Sequence, residues 1–140
     1  MILLNGAESD HITVSDRGFQ YGDGLFETIA VIEGRPLFLE HHLQRLTEGC
    51  SKLNIPKPDL KLLADESYFV CKQAKQAVLK IIVTRGSGGR GYRQPEVIQP
   101  TRVISLYPFP EYSNAYAELG INMRFCDTRL GLNPALAGIK

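Results

Sequence analysis

The 140-residue chain is 44% hydrophobic and 22% charged, enough apolar material for one domain with a real core. Its formal net charge is +1, so no sign excess points to nucleic acid or to an acidic membrane. The start, Met1 to Asp10, is too short in apolar residues for a signal peptide, and no run nears the roughly 20 apolar residues of a membrane span, so a cytoplasmic location is expected. The three cysteines, Cys50, Cys71 and Cys126, lie far apart and form no Cys-x-x-Cys pair, so buried reduced thiols are expected.

In chain order, Met1–Leu4 reads as a strand closed by the turn Asn5-Gly6, and His11–Val14 as a second strand. Ser15–Gly18 and Gly22–Gly24 read as a glycine-punctuated loop. Leu25–Ile32 is rich in β-branched residues and partly alternates, and Glu33-Gly34-Arg35 turns it into Pro36–Leu39 as a hairpin. The period then changes: Leu43, Leu46, Cys50 and Leu53 share one helix face, and that helix ends before Pro56-Lys57-Pro58. A second helix runs from the N-cap Asp59 to about Ala74. Ala77–Arg85 and Thr101–Tyr107 are strands, the former too apolar for an exposed edge. A further strand is expected over Ile121–Cys126.

Strands, two helices and strands again make an α+β pattern rather than a doubly wound sheet. The expected organisation is an N-terminal α+β domain over 1–110, a linker over 111–120, and the start of a second domain over 121–140. A domain closing there would leave an unpaired strand and an apolar tail of Leu136, Ala137 and Ile139, so the chain reads as stopping inside that second domain.

Gly86-Ser87-Gly88-Gly89-Arg90-Gly91 fits the dinucleotide pattern G-x-G-x-x-G and follows a strand. That pattern works only where a helix opens directly behind it and turns its N-terminus to a pyrophosphate. Here Tyr92-Arg93-Gln94-Pro95 and then Pro100 precede a strand, so the segment reads as a hairpin connection, or as a flap carrying Arg85, Arg90 and Tyr92. His41 and His42 diverge by about 100° on a helix and have no third ligand placed with them, which argues against a metal.

Four segments together carry a resemblance: Ser15–Thr28 with its Tyr21-Gly22-Asp23-Gly24-Leu25-Phe26-Glu27 core; His41-His42-Leu43-Gln44-Arg45-Leu46; Thr84–Tyr92; and Leu130–Lys140, ending Leu136-Ala137-Gly138-Ile139-Lys140. In this order and spacing they resemble the fold-type IV pyridoxal-phosphate enzymes, also called class IV aminotransferases. The last two segments are most similar to the branch of lyases acting on 4-amino-4-deoxychorismate. The resemblance implies a two-domain subunit, a homodimer, and a pyridoxal 5'-phosphate site between the domains. It aligns Lys140 with the lysine that joins the cofactor as a Schiff base and then acts as the base. It aligns Arg45 with the arginine on the cofactor phosphate; Tyr21, Phe26 and Thr28 with the wall of the substrate cavity; and Arg90 and Tyr92 with a loop that holds substrate carboxylate. Thr28 is further a candidate for orienting the proton given to the leaving group. The family's acidic partner of the cofactor ring nitrogen would lie past Lys140.

Without that context the residues read more plainly. Lys140 would be a solvated lysine, and Arg45 a helix-surface arginine paired with Glu48 or Glu40. Asp23 and Glu27 take turn and structural roles, and Arg85 and Arg93 surface charges. Two rival functions stand beside the lyase: an amino-acid aminotransferase of the same fold, and a non-catalytic domain that dimerises or binds a partner.

Overall fold

In the computed structural model, residues 1–129, 131–136 and 138–139 are described. The elements in order are β1 (Ile2–Leu4), β2 (Ala7–Glu8), α1 (Arg17–Tyr21), β3 (Gly24–Ile32), β4 (Arg35–Pro36), α2 (Leu39–Leu53), α3 (Leu60–Cys71), β5 (Gln76–Thr84), β6 (Thr101–Pro108) and α4 (Ala115–Leu119), followed by a 3₁₀ turn at Pro134–Leu136. The six strands form one antiparallel sheet in the order β2-β1-β6-β5-β3-β4. This is the expected α+β class.

Alternation along β3 sets the layout. Leu25, Glu27, Ile29 and Val31 are buried, whereas Phe26, Thr28 and Ile32 are exposed. Side chains of a strand point alternately to opposite faces, so β3 separates a covered face from an open one. On the covered face Leu79, Ile81, Val83 and Ile104 meet Leu43, Leu46 and Cys50 of α2 and Leu63 and Val70 of α3 in one core. Each helix presents its apolar stripe to this face, the usual solution for an amphipathic helix on a sheet. The apolar run of β5 is explained by its place in the sheet, between β3 and β6.

Asp59 caps α3 as expected, its carboxylate accepting from the Lys61 and Leu62 amides at 2.9 and 3.1 Å. Arg102 of β6 reaches α3 through a forked pair with Glu66, at 2.9 and 2.7 Å. β3 has a partner on both sides only at its end: it pairs with β5 along its whole length but with β4 only at Val31 and Ile32. Residues 24–30 therefore form a sheet edge.

Three expected elements fail. His11–Val14 is not a strand; β1 turns instead through Asn5-Gly6 into β2 at Ala7–Glu8. Ser15–Gly24 is not all loop. Asp16 caps a one-turn helix, α1, by accepting from the Gly18 amide at 2.8 Å, and Gly22 closes it at φ +66°, a conformation that favours glycine. Ile121–Cys126 is irregular, since no neighbouring strand among the described residues offers its backbone a ladder. Residues 111–120, expected as a linker, hold the short exposed helix α4. Cys50 and Cys71 are buried, and burial pushes each thiol up to about 11; Cys126, expected to be buried, is exposed. Among the described residues, no helix is long and apolar enough to cross a membrane.

Leu79 is fully buried at the centre of the sheet. Leu79→Ala is expected to destabilise the chain by about 2–5 kcal/mol in urea unfolding, through lost burial and the cavity left behind.

Candidate active site

Two arginine–carboxylate groups organise the end of the sheet where β3 begins and β5 ends. In the first, Asp23 Oδ2 accepts from Arg17 Nε and from Arg85 Nε, both at 2.8 Å. Both guanidinium side chains are almost wholly buried, at 4% and 3% exposure. Arg85 spends its other nitrogens on the carbonyls of Asn54 and Leu53, at 2.9 and 2.8 Å, and so caps the C-terminal end of α2. Arg17 reaches into the glycine-rich loop, donating Nη1 to the Gly91 and Arg93 carbonyls at 3.0 and 3.3 Å and Nη2 to the Tyr92 carbonyl at 3.3 Å. The expectation that Arg85 is a surface charge is thus corrected: its carbonyl and carboxylate partners make burial tolerable.

The glycine-rich loop is held where it leaves β5. Asp16 accepts from Thr84 Oγ1 at 2.9 Å, and the Arg17 amide donates to the Gly86 carbonyl at 2.9 Å. Gly86 sits at φ +84°, and a Cβ there would stand 1.8 Å from the Gln99 carbonyl oxygen. The loop passes directly from β5 to β6 with no helix behind it, so the dinucleotide geometry is absent. At its tip the Gly91 amide donates to Tyr21 Oη at 3.1 Å, and the Tyr21 and Tyr92 rings lie 5.5 Å apart. Tyr21 and Tyr92 are therefore brought together. Arg90 is exposed beside them and has no ion-pair partner among the described residues.

In the second group, the buried carboxylate of Glu27 takes a fork from Arg45: Nε donates to Oε1 at 2.7 Å and Nη2 donates to Oε2. The imidazole Nδ1 of His42 lies 2.7 Å from the same Oε2. Burial opposes ionisation of Glu27, but the bonds from Arg45 and His42 outweigh it and hold the carboxyl below its ordinary range. Asp23 is held low in the same way, against burial, by Arg85 and Arg17. Arg45 pairs across to β3, not with Glu48 or Glu40 on its own helix; Glu48 instead accepts from Gln44 at 2.9 Å. Its Nη1 has no partner among the described residues, and the side chain is 43% exposed. A guanidinium braced on one edge with a nitrogen left over suits an external phosphate.

Phe26 and Thr28 flank Glu27 on β3 and so point to the opposite, open face from Arg45. The two sets meet only around the sheet edge formed by residues 24–30. On the open face Ile12, Phe19, Phe26, Ile82 and Val103 line a cavity of about 440 Å³. On the covered face Ile139 packs against the core at Gly49, where a Cβ would lie 3.6 Å from the Ile139 side chain. Gly49 is one helical turn beyond Arg45. Lys140 itself lies outside the described residues.

The arrangement can now be set beside known proteins. Residues 24–140 match the family model described as amino-transferase class IV. The chain belongs to that family. It is 38% identical over all 140 residues to an aminodeoxychorismate lyase of Vibrio harveyi, of which it covers 52%. It superposes on the crystal structure of 4-amino-4-deoxychorismate lyase from Pseudomonas aeruginosa with a TM-score of 0.89 and 43% identity, over 98% of this chain and 50% of that one. It also matches the pyridoxal-phosphate-bound form of a hypothetical aminotransferase from Mycobacterium tuberculosis, with a TM-score of 0.68 and 28% identity, over 79% of this chain and 40% of that one. The chain thus spans about half the length of the two lyases it matches.

Sequence reasoning did not single out Arg17. Arg17 shares its segment with the resemblance, but nothing local reveals that its guanidinium is buried.

Both Asp23 and Glu27 titrate lower in the folded chain than their ordinary values of 3.8 and 4.5. Each therefore stabilises the fold fully above those values and loses that contribution as pH falls through its depressed folded value. Asp23→Asn is expected to cost about 1–3 kcal/mol at pH 7. In urea unfolding from pH 6 down to pH 2, the gap between variant and wild type should narrow below about pH 4; a gap that stays constant contradicts the assignment.

Proposed function

We propose that this chain is the N-terminal part of a pyridoxal-phosphate-dependent lyase that converts 4-amino-4-deoxychorismate to 4-aminobenzoate and pyruvate. The observation that carries the reading is the likeness to the Pseudomonas aeruginosa lyase over nearly the whole chain, glycine-rich loop included. The cofactor-holding domain is then the one of which this chain has the opening segment, 121–140, and the linker is 111–120. The protein acts in the cytoplasm as a homodimer.

In this reading Lys140 anchors the cofactor, supported by the docking of its neighbour Ile139 one helical turn from Arg45. Arg45, braced by Glu27, offers Nη1 to the cofactor phosphate. The cofactor, once bound, supplies an electron sink for the bond-breaking steps. Lys140 takes the proton from the ring carbon that carries the amino group. The bond from the adjacent ring carbon to the enolpyruvyl oxygen then breaks, the ring becomes aromatic, and the enolpyruvyl group takes up a proton to leave as pyruvate. Thr28, exposed on the open face of β3, orients that proton. Phe26 walls the cavity, Tyr21 stands against the loop tip, and Arg90 and Tyr92 hold substrate carboxylate from the loop that Arg17 fixes.

A second reading, amino-group transfer to a 2-keto acid, is favoured by the likeness to the Mycobacterium tuberculosis protein. The full-length protein separates the two. The lyase reading expects 4-aminobenzoate and pyruvate in equal amounts from aminodeoxychorismate; transamination without that turnover overturns it. Borohydride reduction of the loaded full-length protein should fix the cofactor on Lys140. Arg45→Ala should weaken cofactor binding about tenfold or more, as expected for loss of a charge-assisted hydrogen bond, measured by titration of cofactor absorbance.

A further inference from the structure

The buried carboxylate of Glu27 is shared by two side chains of one helix. Arg45 donates Nε to Oε1 at 2.7 Å and Nη2 to Oε2, and His42 Nδ1 lies 2.7 Å from that same Oε2. His42 and Arg45 stand three positions apart on α2, so both reach β3 from one face of the helix. A carboxyl held below its ordinary range is ionised and can only accept. His42 Nδ1 therefore carries the hydrogen, whether or not the ring is protonated.

An arginine can grip a carboxylate by two different edges. The Nε–Nη2 edge leaves the whole of Nη1 free, whereas the Nη1–Nη2 edge commits Nη1 to the carboxylate. Arg45 uses the first edge. Which edge is used follows from how the carboxylate is turned, and the last torsion of a glutamate is broad and does not fix this by itself. His42 does fix it. Its Nδ1 and Arg45 Nη2 together occupy both lone pairs of Oε2, so the carboxylate cannot swing without losing a bond. Core packing gives no other reason for an imidazole at this position: the buried residues of α2 are Leu39, Leu43, Leu46, Gly49 and Cys50. The adjacent His41 supplies a contrast, being exposed with its ring beside that of Phe38.

We infer that His42 is a positioning residue for Arg45: it locks the Glu27 carboxylate in the orientation that Arg45 grips through Nε and Nη2, and so keeps Nη1 free for the cofactor phosphate. This rests on the phosphate role proposed above for Arg45, and adds to it a residue that acts through Glu27.

The test measures cofactor binding rather than turnover, on full-length protein freed of cofactor. Pyridoxamine 5'-phosphate and pyridoxamine are titrated in parallel. Neither carries an aldehyde, so the readout does not depend on a Schiff base at Lys140. The ratio of their affinities is the advantage contributed by the phosphate. His42→Leu should cut this ratio about three- to tenfold, the worth of holding one long side chain in place, with pyridoxamine affinity unchanged. His42→Phe, which keeps a ring but no donor, should do the same. His42→Asn, whose amide can donate where Nδ1 does, should restore most of the ratio, and His41→Leu should leave it at the wild-type value. Thermal melts check that each variant is folded, and His42→Phe replaces His42→Leu if the latter is not.

A wild-type ratio in the donorless variants, an equal loss for both ligands, or a loss that His42→Asn does not recover would each overturn the inference. Arg45→Ala separates it from the reading beneath. If Arg45→Ala collapses the ratio and His42→Leu leaves it intact, Arg45 holds the phosphate and the positioning role fails. If Arg45→Ala leaves the ratio intact, the phosphate role fails and the inference with it. If both variants lower the ratio but wild-type protein forms no 4-aminobenzoate from aminodeoxychorismate, the positioning role stands and the lyase reading fails.

Discussion

One carboxylate oxygen, Asp23 Oδ2, sits between two buried guanidinium groups, and the candidate site is assembled around it. Through Arg85 it is tied to the end of α2, and through Arg17 to the tip of the glycine-rich loop. Helix α2 bears Arg45, and the loop bears Arg90 and Tyr92. Two elements of the candidate site, far apart in sequence, thus take their relative position from the same atom. Two buried cations beside a single anion would be untenable alone. The five carbonyl acceptors that complete the two forks are what make the arrangement stable.

The second group, Glu27 with Arg45 and His42, works by a different logic. Glu27 is buried while Arg45 is partly in solvent, so the carboxylate is fixed by the core and the guanidinium is fixed by the carboxylate. An arginine held in this way gives up little conformational freedom when it meets a phosphate, which is the advantage of preorganisation.

Much of this architecture was legible from residues alone. The helical stripe Leu43, Leu46, Cys50, Leu53, the capping Asp59 and the apolar run of β5 each encode their local structure and their burial together. Elements whose formation depends on distant partners were not legible. The His11–Val14 strand failed because pairing is decided by the β1 turn, and α1 was missed because a single turn of helix shows no period. The family segments supplied the residues of the candidate site, but not its internal wiring. That Arg85 is a buried clamp, and that Arg45 turns to Glu27 rather than to neighbours on its own helix, are facts of side-chain direction in three dimensions.

The alternation of β3 ties all of this to one register. Leu25 and Glu27 face the helices, while Phe26 and Thr28 point to the open face, so one strand carries the counter-ion of Arg45 and part of the cavity wall at consecutive positions. Inserting or deleting a single residue between Gly24 and Thr28 would exchange the two roles, turning the Arg45 counter-ion outward and an aromatic ring into the core. Residue spacing in this stretch is therefore constrained more tightly than residue identity. Evolution can vary the cavity wall by substitution, but length change has to be confined to the hairpin at Glu33-Gly34 or to the glycine-rich loop, where the backbone leaves the sheet.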